Sequence, residues 1–483
     1  MSKTKRVPAP SSEFLLPALW ILAAGSFWLV PDQKIIRAKL LAVQAAVLLA
    51  AARLAWRHAS KDMPAGRFSL DAPVAALVLA GILFWALSPE RAASETEAMR
   101  LFFCGLTYWA ASRSFAVNTA AIGAEASAAV WTAGASAAGL WAVFQAMDGQ
   151  ARPFASFGNP IFLGTALAAS LPLALAGAAG ATPARFLWAL AAALEAAGLI
   201  LTHSRTAVFG LLAGISLWAL ARLGGRRRLQ ALAAAAAAAG LFRSREWTHT
   251  VIWHDALRLW HAHPWLGCGL GRFHLEFPAY ASPELKARWP AGAVIINFAH
   301  NEYLQTLTET GPLGLAALLA VPLMAWLSLR RDSSSVARGA CATGALAFFA
   351  AAFVSPDLRF GASAFAAFAL LGASARIEAA GTNIPTTLTA CALAAFAWLA
   401  AKPALAVRRN AGETTFHAGA DSNRVNALED LLKNAPKDAD AAEELGYLKA
   451  KASDFAGAAA AFRRAAELAP SRPGPLNNLG NLA

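Results

Sequence analysis

Charged residues are scarce in this chain, and their scarcity excludes most soluble classes of protein. Only 15% of its 483 residues are Asp, Glu, Lys or Arg, whereas 57% are hydrophobic, far above the balance of an ordinary soluble domain. The formal net charge of +13 does not indicate nucleic-acid binding. The basic residues fall in short segments between apolar runs, where they orient membrane helices, so no nucleic-acid partner is expected.

Cysteine is rare too, and its placement argues against disulfide frameworks and metal knuckles. No two cysteines have a paired spacing, and three of them lie in apolar runs, where small packing residues are expected. The histidines lack the His-x-x-x-His spacing and well-placed acidic partners that a zinc site requires, so no metal site is predicted. The four cysteines are Cys104, Cys268, Cys341 and Cys391.

Apolar runs of about 15–20 residues, long enough to cross a bilayer core, dominate the chain instead. They predict an all-α fold, a polytopic membrane protein of about 12–13 transmembrane helices. The predicted spans lie near residues 13–30, 40–56, 70–88, 98–112, 122–147, 158–180, 185–202, 205–222, 229–242, 303–329, 337–355, 359–374 and 386–402.

The distribution of Lys and Arg predicts the orientation. With the N-terminus inside, more of them fall in inner than in outer loops, as the positive-inside rule requires. The outer loops then hold only scattered cations, among them Arg91, Arg100 and Arg359. This orientation makes residues 1–402 the membrane domain, with a large outer loop at 243–299, and places residues 403–483 outside.

The segment 403–483 has the character of a soluble, helical repeat tail. Pro436 recurs as Pro470 and the pair Leu445-Gly446 recurs at 479–480, each after 34 residues. This period resembles the tetratricopeptide repeat. A single repeat is clear, and the repeat tail is predicted to be incomplete. A surface for a peptide or protein partner is the functional interpretation; a spacer is the alternative.

Two arginines stand beside breaks in the apolar pattern on the predicted outer side. Arg152 precedes Gly158-Asn-Pro160, which is turn chemistry leading into a helix. Ser204-Arg205-Thr206 interrupts two apolar runs, where polar groups need a reason. Because a guanidinium offers a donor fork that fits phosphate oxygens, Arg205 is a candidate ligand for a lipid-linked diphosphate, and Arg152 a second anion ligand. A structural ion pair and a headgroup contact are the respective alternatives.

The outer loop contains an alternating glycine run, Gly267, Gly269 and Gly271. Such a run permits tight turns and close approach of a ligand, but alone it is weak evidence for phosphate binding. The loop tryptophans favour an interfacial position, with stacking on sugar rings as the alternative.

His300 lies where the outer loop meets the next apolar helix. A neutral imidazole there can exchange a proton near neutral pH. Asn301, Glu302 and Glu309 accompany it, and the two glutamates, seven residues apart, share a helix face. His300 is predicted to act as a base or as an orienting hydrogen-bond donor, and these three residues are predicted to support it.

Taken in order, these stretches resemble the O-antigen ligase family of bacterial membrane glycosyltransferases. The resemblance rests on Arg152 with Phe157-Gly-Asn-Pro160, on Ser204-Arg205, on His263-Pro-Trp-Leu-Gly-Cys-Gly-Leu-Gly-Arg-Phe273, and on His300-Asn-Glu-Tyr-Leu-Gln with Glu309-Thr-Gly-Pro-Leu-Gly314. It covers roughly residues 13–402. Where the family often has Asn-Pro-Asn, this chain has Asn159-Pro160-Ile161, which weakens a ligand role for Asn159.

The resemblance implies transfer of a glycan from undecaprenyl diphosphate to an acceptor hydroxyl on the periplasmic face of the bacterial inner membrane, without metal or other cofactor. The catalytic histidine would be His300, and the diphosphate ligands Arg205 and Arg152, supported by Ser204, Gly269 and Gly271. The acceptor would be lipid A-core, a growing glycan or a protein, because Wzy-type polymerases and protein O-oligosaccharyltransferases share these features. Outside enzymes, a polysaccharide or lipid transporter is the alternative.

Overall fold

The computed structural model describes residues 67–117, 121–180, 183–240, 249–288, 296–331, 335–379, 418–451 and 454–469, with a few isolated positions besides. The predicted spans 13–30 and 386–402, and most of 40–56, lie outside the described residues. The described residues are nearly all helical, which agrees with the predicted all-α class. The one departure is an antiparallel pairing of two short strands, β1 (Arg67–Phe68) and β2 (Ile377–Ala379).

Sixteen helices make up the described part of the chain. In chain order they are α1 (Asp71–Leu87), α2 (Arg91–Val117), α3 (Ala121–Met147), α4 (Pro160–Ala178), α5 (Arg185–Leu201), α6 (Arg205–Arg222), α7 (Gly225–Gly240), α8 (His249–Ala262), α9 (Phe273–Glu276), α10 (Pro283–Arg288), α11 (Glu302–Arg331), α12 (Val336–Ala351), α13 (Gly361–Ser374), α14 (Ala418–Asn434), α15 (Ala439–Lys451) and α16 (Phe455–Leu468). Short 3₁₀ turns lie at Phe277–Ala279 and Asp357–Arg359.

Apolar length confirms a membrane protein, and the full count of spans stays a prediction. Among the described residues, three helices are long and apolar enough to cross a bilayer: α4, α6 and α11. Shorter apolar helices cover Asp71–Leu87, Val336–Ala351 and Ser363–Ser374.

Helix α12 forms the centre of the membrane part. It packs against α4, α6 and α13, and most of its residues are buried. Small side chains allow this closeness, as in many membrane helix pairs. A Cβ at Gly344 would lie 2.2 Å from the Ala169 carbonyl oxygen of α4, and one at Gly210 of α6 would lie 2.7 Å from that of Ala347.

Helix α11 is two helices joined at a break. Gly311 has φ 66° and ψ −168°, which is not helical, and Pro312 follows it. The whole element would be about 45 Å long, but the part after Gly311 is about 30 Å, which matches the hydrocarbon core. The break therefore separates a membrane-spanning part from an N-terminal half-helix in which Glu302, Gln305 and Glu309 are buried.

The chain divides into two compact units, and the predicted division at residue 402 stays a prediction. The first holds residues 1–31, 35–280 and 297–384; the second holds 32–34, 281–296 and 385–483. In the second unit, α14, α15 and α16 bury a small core that includes Leu428, Ala442 and Ala465. This is a helical tail, as predicted; its identity as a tetratricopeptide repeat remains a prediction.

Candidate functional site

Three loops that carry predicted site residues lie at one end of the helix bundle. The loop before α4 touches the turn between α5 and α6, because Arg152 Nε donates to the Thr202 carbonyl at 3.3 Å. The ring of Phe360 lies 4.2 Å from that of Phe162, in the first turn of α4, and 5.6 Å from that of Phe298, just before His300. The starts of α4, α6 and α11 therefore share one end.

Each of these loops contains a residue in the left-handed backbone region. Ala155, His203 and His300 have φ of 46°, 49° and 53°. They are the three non-glycine residues with positive φ in the described part of the chain. Such residues cost free energy and cluster at functional sites. Their distribution, one to each predicted loop, marks this end as the functional end.

His300 is partly buried, in contact with a second histidine. Its ring stacks on that of His249, at the start of α8, with ring centres 4.4 Å apart and an interplanar angle of 16°. Burial, reinforced by the nearby His249, lowers the pKa of His300 to about 4. The imidazole is therefore neutral at pH 7, the form that can accept a proton.

The residues that follow His300 have structural partners of their own. Asn301 caps α11, since its Oδ1 accepts from the Leu304 amide at 3.0 Å. Glu302 and Glu309 share a helix face, as predicted, and that face is turned to Arg359. Arg359 Nε donates to both oxygens of Glu302 at 3.0 and 3.1 Å, and Nη1 donates to Glu309 at 2.8 Å. Both glutamates therefore have the same arginine as their partner.

Arg359 belongs to a largely buried ion cluster, which we define as Glu97, Arg100, Glu302, Glu309 and Arg359. Arg359 also lies 3.3 Å from Glu97, and Arg100 Nε bonds Glu97 at 2.7 Å. Arg100 Nη1 donates to the Leu358 carbonyl as well. The positive charge holds all three carboxylates in a place where unpaired ions would be very unfavourable.

Sequence reasoning missed this cluster, because loop counting treats Arg100 and Arg359 as orienting cations. Three glutamates at apolar boundaries were the available signal, since buried acids require cationic partners. A cavity of about 30 Å³ adjoins Arg100, Glu302, Glu309 and Arg359, which is room for about one or two water molecules.

Arg205 and Arg152 are exposed, in contrast to the ion cluster. Arg205 is the first residue of α6, directly after Ser204, whose Oγ caps the helix by accepting from the Ala207 amide at 3.2 Å. No carboxylate of a described residue pairs with Arg205. Its guanidinium thus extends from the functional end with donors available to an anion.

The glycine run packs against the broken helix α11. Cys268 and Gly269 donate their amides to the carbonyls of Thr308 and Glu309 at 2.8 and 3.1 Å, and the Gly271 amide donates to Glu309 Oε2 at 3.0 Å. Gly269 and Gly271 have φ of 110° and 71°. In this arrangement their amides hold the loop against α11, so the glycines have a structural role: they allow the backbone conformation that this packing requires.

The part of the chain that the structure describes contains no group of three or more His, Cys, Asp or Glu side chains able to hold a metal ion. The chemistry open to this end is that of an uncharged imidazole and exposed guanidinium groups. These suit proton acceptance and the binding of a phosphate-type anion.

Residues 248–319 match the family model described as O-Antigen ligase. The matched range runs from α8 through the glycine run and His300 into α11. It includes both members of the histidine pair, His249 and His300, and two members of the ion cluster, Glu302 and Glu309, whereas Glu97, Arg100 and Arg359 lie outside it. No curated protein matches the chain.

Proposed function

We propose, because residues 248–319 match the O-antigen ligase family model, that this chain moves a glycan from undecaprenyl diphosphate to an acceptor hydroxyl, with O-antigen ligation to lipid A-core as the specific reaction. The match itself supports a membrane glycosyltransferase of the ligase or polymerase type. The donor, the acceptor, the inner membrane and the periplasmic face are parts of the proposal.

The observation that carries the proposal is the shared location of an uncharged His300 and the exposed Arg205 and Arg152 at the functional end. In the proposed step, the acceptor oxygen attacks the anomeric carbon, and the bond from that carbon to the diphosphate oxygen breaks. The lipid diphosphate leaves with the electron pair, and the hydroxyl proton passes to the His300 imidazole. Both arginines hold the charge that develops on the diphosphate.

The lowered pKa of His300 keeps its imidazole in the form that can accept a proton. Since the base form is populated above a pKa of about 4, the imidazole is uncharged throughout the physiological range. It also adds no positive charge that would compete with Arg205 and Arg152 for the diphosphate. A single displacement inverts the anomeric configuration; product linkage analysis that shows retention would exclude it.

The transporter alternative has little support among the described residues. A passage for a polar substrate requires polar groups at membrane depth in several helices. Glu195 of α5 is one such group, but it is fully buried and accepts hydrogen bonds from Ser170 at 3.0 Å and Ser136 at 3.4 Å. These contacts are those of a packed helix interface.

The test is transfer by the purified full chain in detergent. The donor is a lipid-linked glycan, and the acceptors are lipid A-core, a second lipid-linked repeat unit and an acceptor protein, offered separately. We expect one acceptor to be glycosylated, and we expect His300→Ala and Arg205→Ala each to abolish or severely reduce transfer. Transfer to the second lipid-linked unit would assign a polymerase, and transfer to protein a protein glycosylase. Normal transfer by both variants would overturn the site.

A further inference from the structure

The backbone beside His300 is held from three directions. The Ala299 amide donates to Gln305 Oε1 at 3.0 Å, and Trp253 Nε1 of α8 donates to the Ala299 carbonyl at 2.9 Å. The Glu302 amide donates to the Ala352 carbonyl at the end of α12, at 2.8 Å. A left-handed histidine persists only where its surroundings determine it, and these three bonds supply that determination.

One of these contacts depends on a buried side chain that continues into the ion cluster. Gln305 is 2% exposed. Its Oε1 accepts from Ala299, and its Nε2 donates to Glu309 Oε1 at 3.0 Å. Glu309 Oε2 in turn accepts from Arg359 at 2.8 Å. A continuous relay therefore runs from Arg359 through Glu309 and Gln305 to the amide that precedes His300.

The same carboxylate also holds the glycine run, because Glu309 Oε2 accepts from the Gly271 amide. Arg359 thus fixes two chain segments at once, the turn at His300 and the loop in front of it. It does so from the 3₁₀ turn Asp357–Arg359, which is itself tied to α4 by the bond from Thr165 Oγ1 to Asp357 Oδ2 at 2.7 Å.

We propose that Arg359 and Gln305 are positioning residues, which act through Glu309 and the Ala299 amide to align the His300 imidazole for transfer. The inference rests on the proposed function, since it assigns work to the same histidine. Neither residue touches the substrate. The relay explains why a buried arginine outside the family-matched range is bonded to two acids within it.

A second buried arginine provides a matched comparison. Arg113 near the end of α2 is 7% exposed and grips both oxygens of Asp71, at 2.7 and 2.8 Å. Its guanidinium also lies over the Phe68 ring at 4.4 Å. Among the described residues, the bonds of this pair lead to α1, α2 and β1 and none reaches the His300 turn. Losing Arg113 therefore removes a buried ion pair and leaves the relay intact.

The experiment compares near-isosteric variants of the full chain. Gln305→Met breaks the relay without a change of charge, and its control, Thr107→Val, removes the hydroxyl of a buried threonine that bonds only the Phe103 carbonyl. Arg359→Met is paired with Arg113→Met. Arg359→Lys retains the charge and loses the fork. Each variant is measured for kcat, for the donor KM and for hydrogen–deuterium exchange over residues 296–304.

We expect Gln305→Met and Arg359→Met to lower kcat by about 10²-fold, the effect of a misplacement of about 1 Å. The donor KM should stay within about twofold, because Arg205 lies outside the relay. Exchange over 296–304 should be faster in both variants. Arg359→Lys should recover part of kcat, and both controls should keep the native kcat and the native exchange of that segment.

The inference and the proposed function fail in different ways. Unchanged exchange over 296–304 in Gln305→Met overturns the relay whatever the activity, and so does an equal loss of kcat in Arg359→Met and Arg113→Met. If Gln305→Met shows faster exchange over 296–304 but keeps the native kcat, the relay exists as a structural feature and its positioning role is overturned. Native activity of His300→Ala overturns the proposed function. Should Arg359→Met fail to fold, Gln305→Met decides.

Discussion

Two kinds of arginine occupy the functional end, and they differ in whether carboxylates of the protein already pair with their guanidinium groups. The side chains of Arg100 and Arg359 are 10% and 3% exposed and lie among three carboxylates at 2.7–3.8 Å, whereas Arg152 and Arg205 are exposed. A buried arginine whose donors are occupied cannot also take a diphosphate, but it can hold helices and loops in register. An exposed fork is available to bind an anion. Our proposal therefore gives substrate contact to the second kind and alignment to the first.

Removal of a buried arginine should have the largest effect. Arg100→Met leaves Glu97 and Glu302 with Arg359 as their remaining cluster cation, and breaking a buried ion pair costs about 3–5 kcal/mol. We expect a clear drop in the melting temperature of the purified chain in detergent. Arg226→Met, at an exposed position of α7, is the control. A native melting temperature in Arg100→Met would contradict the structural role given to the buried arginines.

The glycine run tests whether the buried side is as tightly packed as its hydrogen bonds indicate. Gly267 has φ 70°, and a Cβ there would lie 2.2 Å from the Glu309 carbonyl carbon. Gly149 has φ 87° with no atom within 4 Å of its Cβ position. Gly149→Ala should cost about 1–2 kcal/mol from backbone strain alone, and Gly267→Ala about 1–3 kcal/mol more from the overlap.

Thermal unfolding measured side by side checks this pair. Because both residues have positive φ, the difference between the two variants isolates the contact with α11. Equal losses of stability would mean that the loop yields, and that the glycine run is not fixed against Glu309.

Loss of an exposed arginine should affect binding and leave stability unchanged. Arg205→Met should raise the donor KM by about 10- to 100-fold, since a hydrogen bond to a charged group contributes about 1.5–3 kcal/mol. Arg152→Met should have a smaller effect, because Arg152 Nε is already bonded to the Thr202 carbonyl. Steady-state kinetics over a range of donor concentrations measures both. If Arg205→Met melts early and keeps its KM, the division between the two kinds of arginine is wrong.

The smallest expected effect concerns the stacked histidine. His249→Phe retains a ring against His300 and removes a group that can be charged. Burial is the larger cause of the lowered pKa and His249 the smaller, so the pKa of His300 should rise from about 4 only part of the way to its ordinary 6.5. Activity is lost when the pH falls through the pKa of His300, because the imidazole is then protonated and can no longer accept a proton. The acidic limb of kcat/KM should therefore move upward by about 1 pH unit at most.

An unchanged acidic limb in His249→Phe would show that the stacked ring has no electrostatic effect on the base. His261→Phe, on the exposed end of the same helix, is the control for introducing phenylalanine into α8.

Local chemistry made several features predictable from the sequence. The Gly-Asn-Pro turn leads into α4, where Asn159 Oδ1 caps the helix by accepting from the Ile161 amide at 2.8 Å. The polar break at Ser204 starts α6, and His300 lies directly ahead of α11. Each signal is contained within a few residues, in the form of a cap, a turn or an apolar period.

The partners of the buried acids could not be predicted in the same way. Helical spacing correctly places Glu302 and Glu309 on one face, but their common partner lies 57 and 50 residues further along the chain. This pairing depends on how α12 and α13 pack against α11, which local sequence patterns do not determine. The stacking of His249 on His300 joins residues that are equally remote, 51 residues apart in the chain. What sequence reasoning identified was a set of groups that required partners.

The central claim is that Arg205 and His300 serve one lipid-linked donor at one site. Hydrogen–deuterium exchange of the full chain, with and without a lipid-linked glycan, tests it most directly. We predict that donor binding slows exchange over both residues 201–206 and residues 296–304, and that Arg205→Met weakens the protection of both segments together. Protection confined to one segment, or protection at 296–304 that is unaffected by Arg205→Met, would contradict the claim.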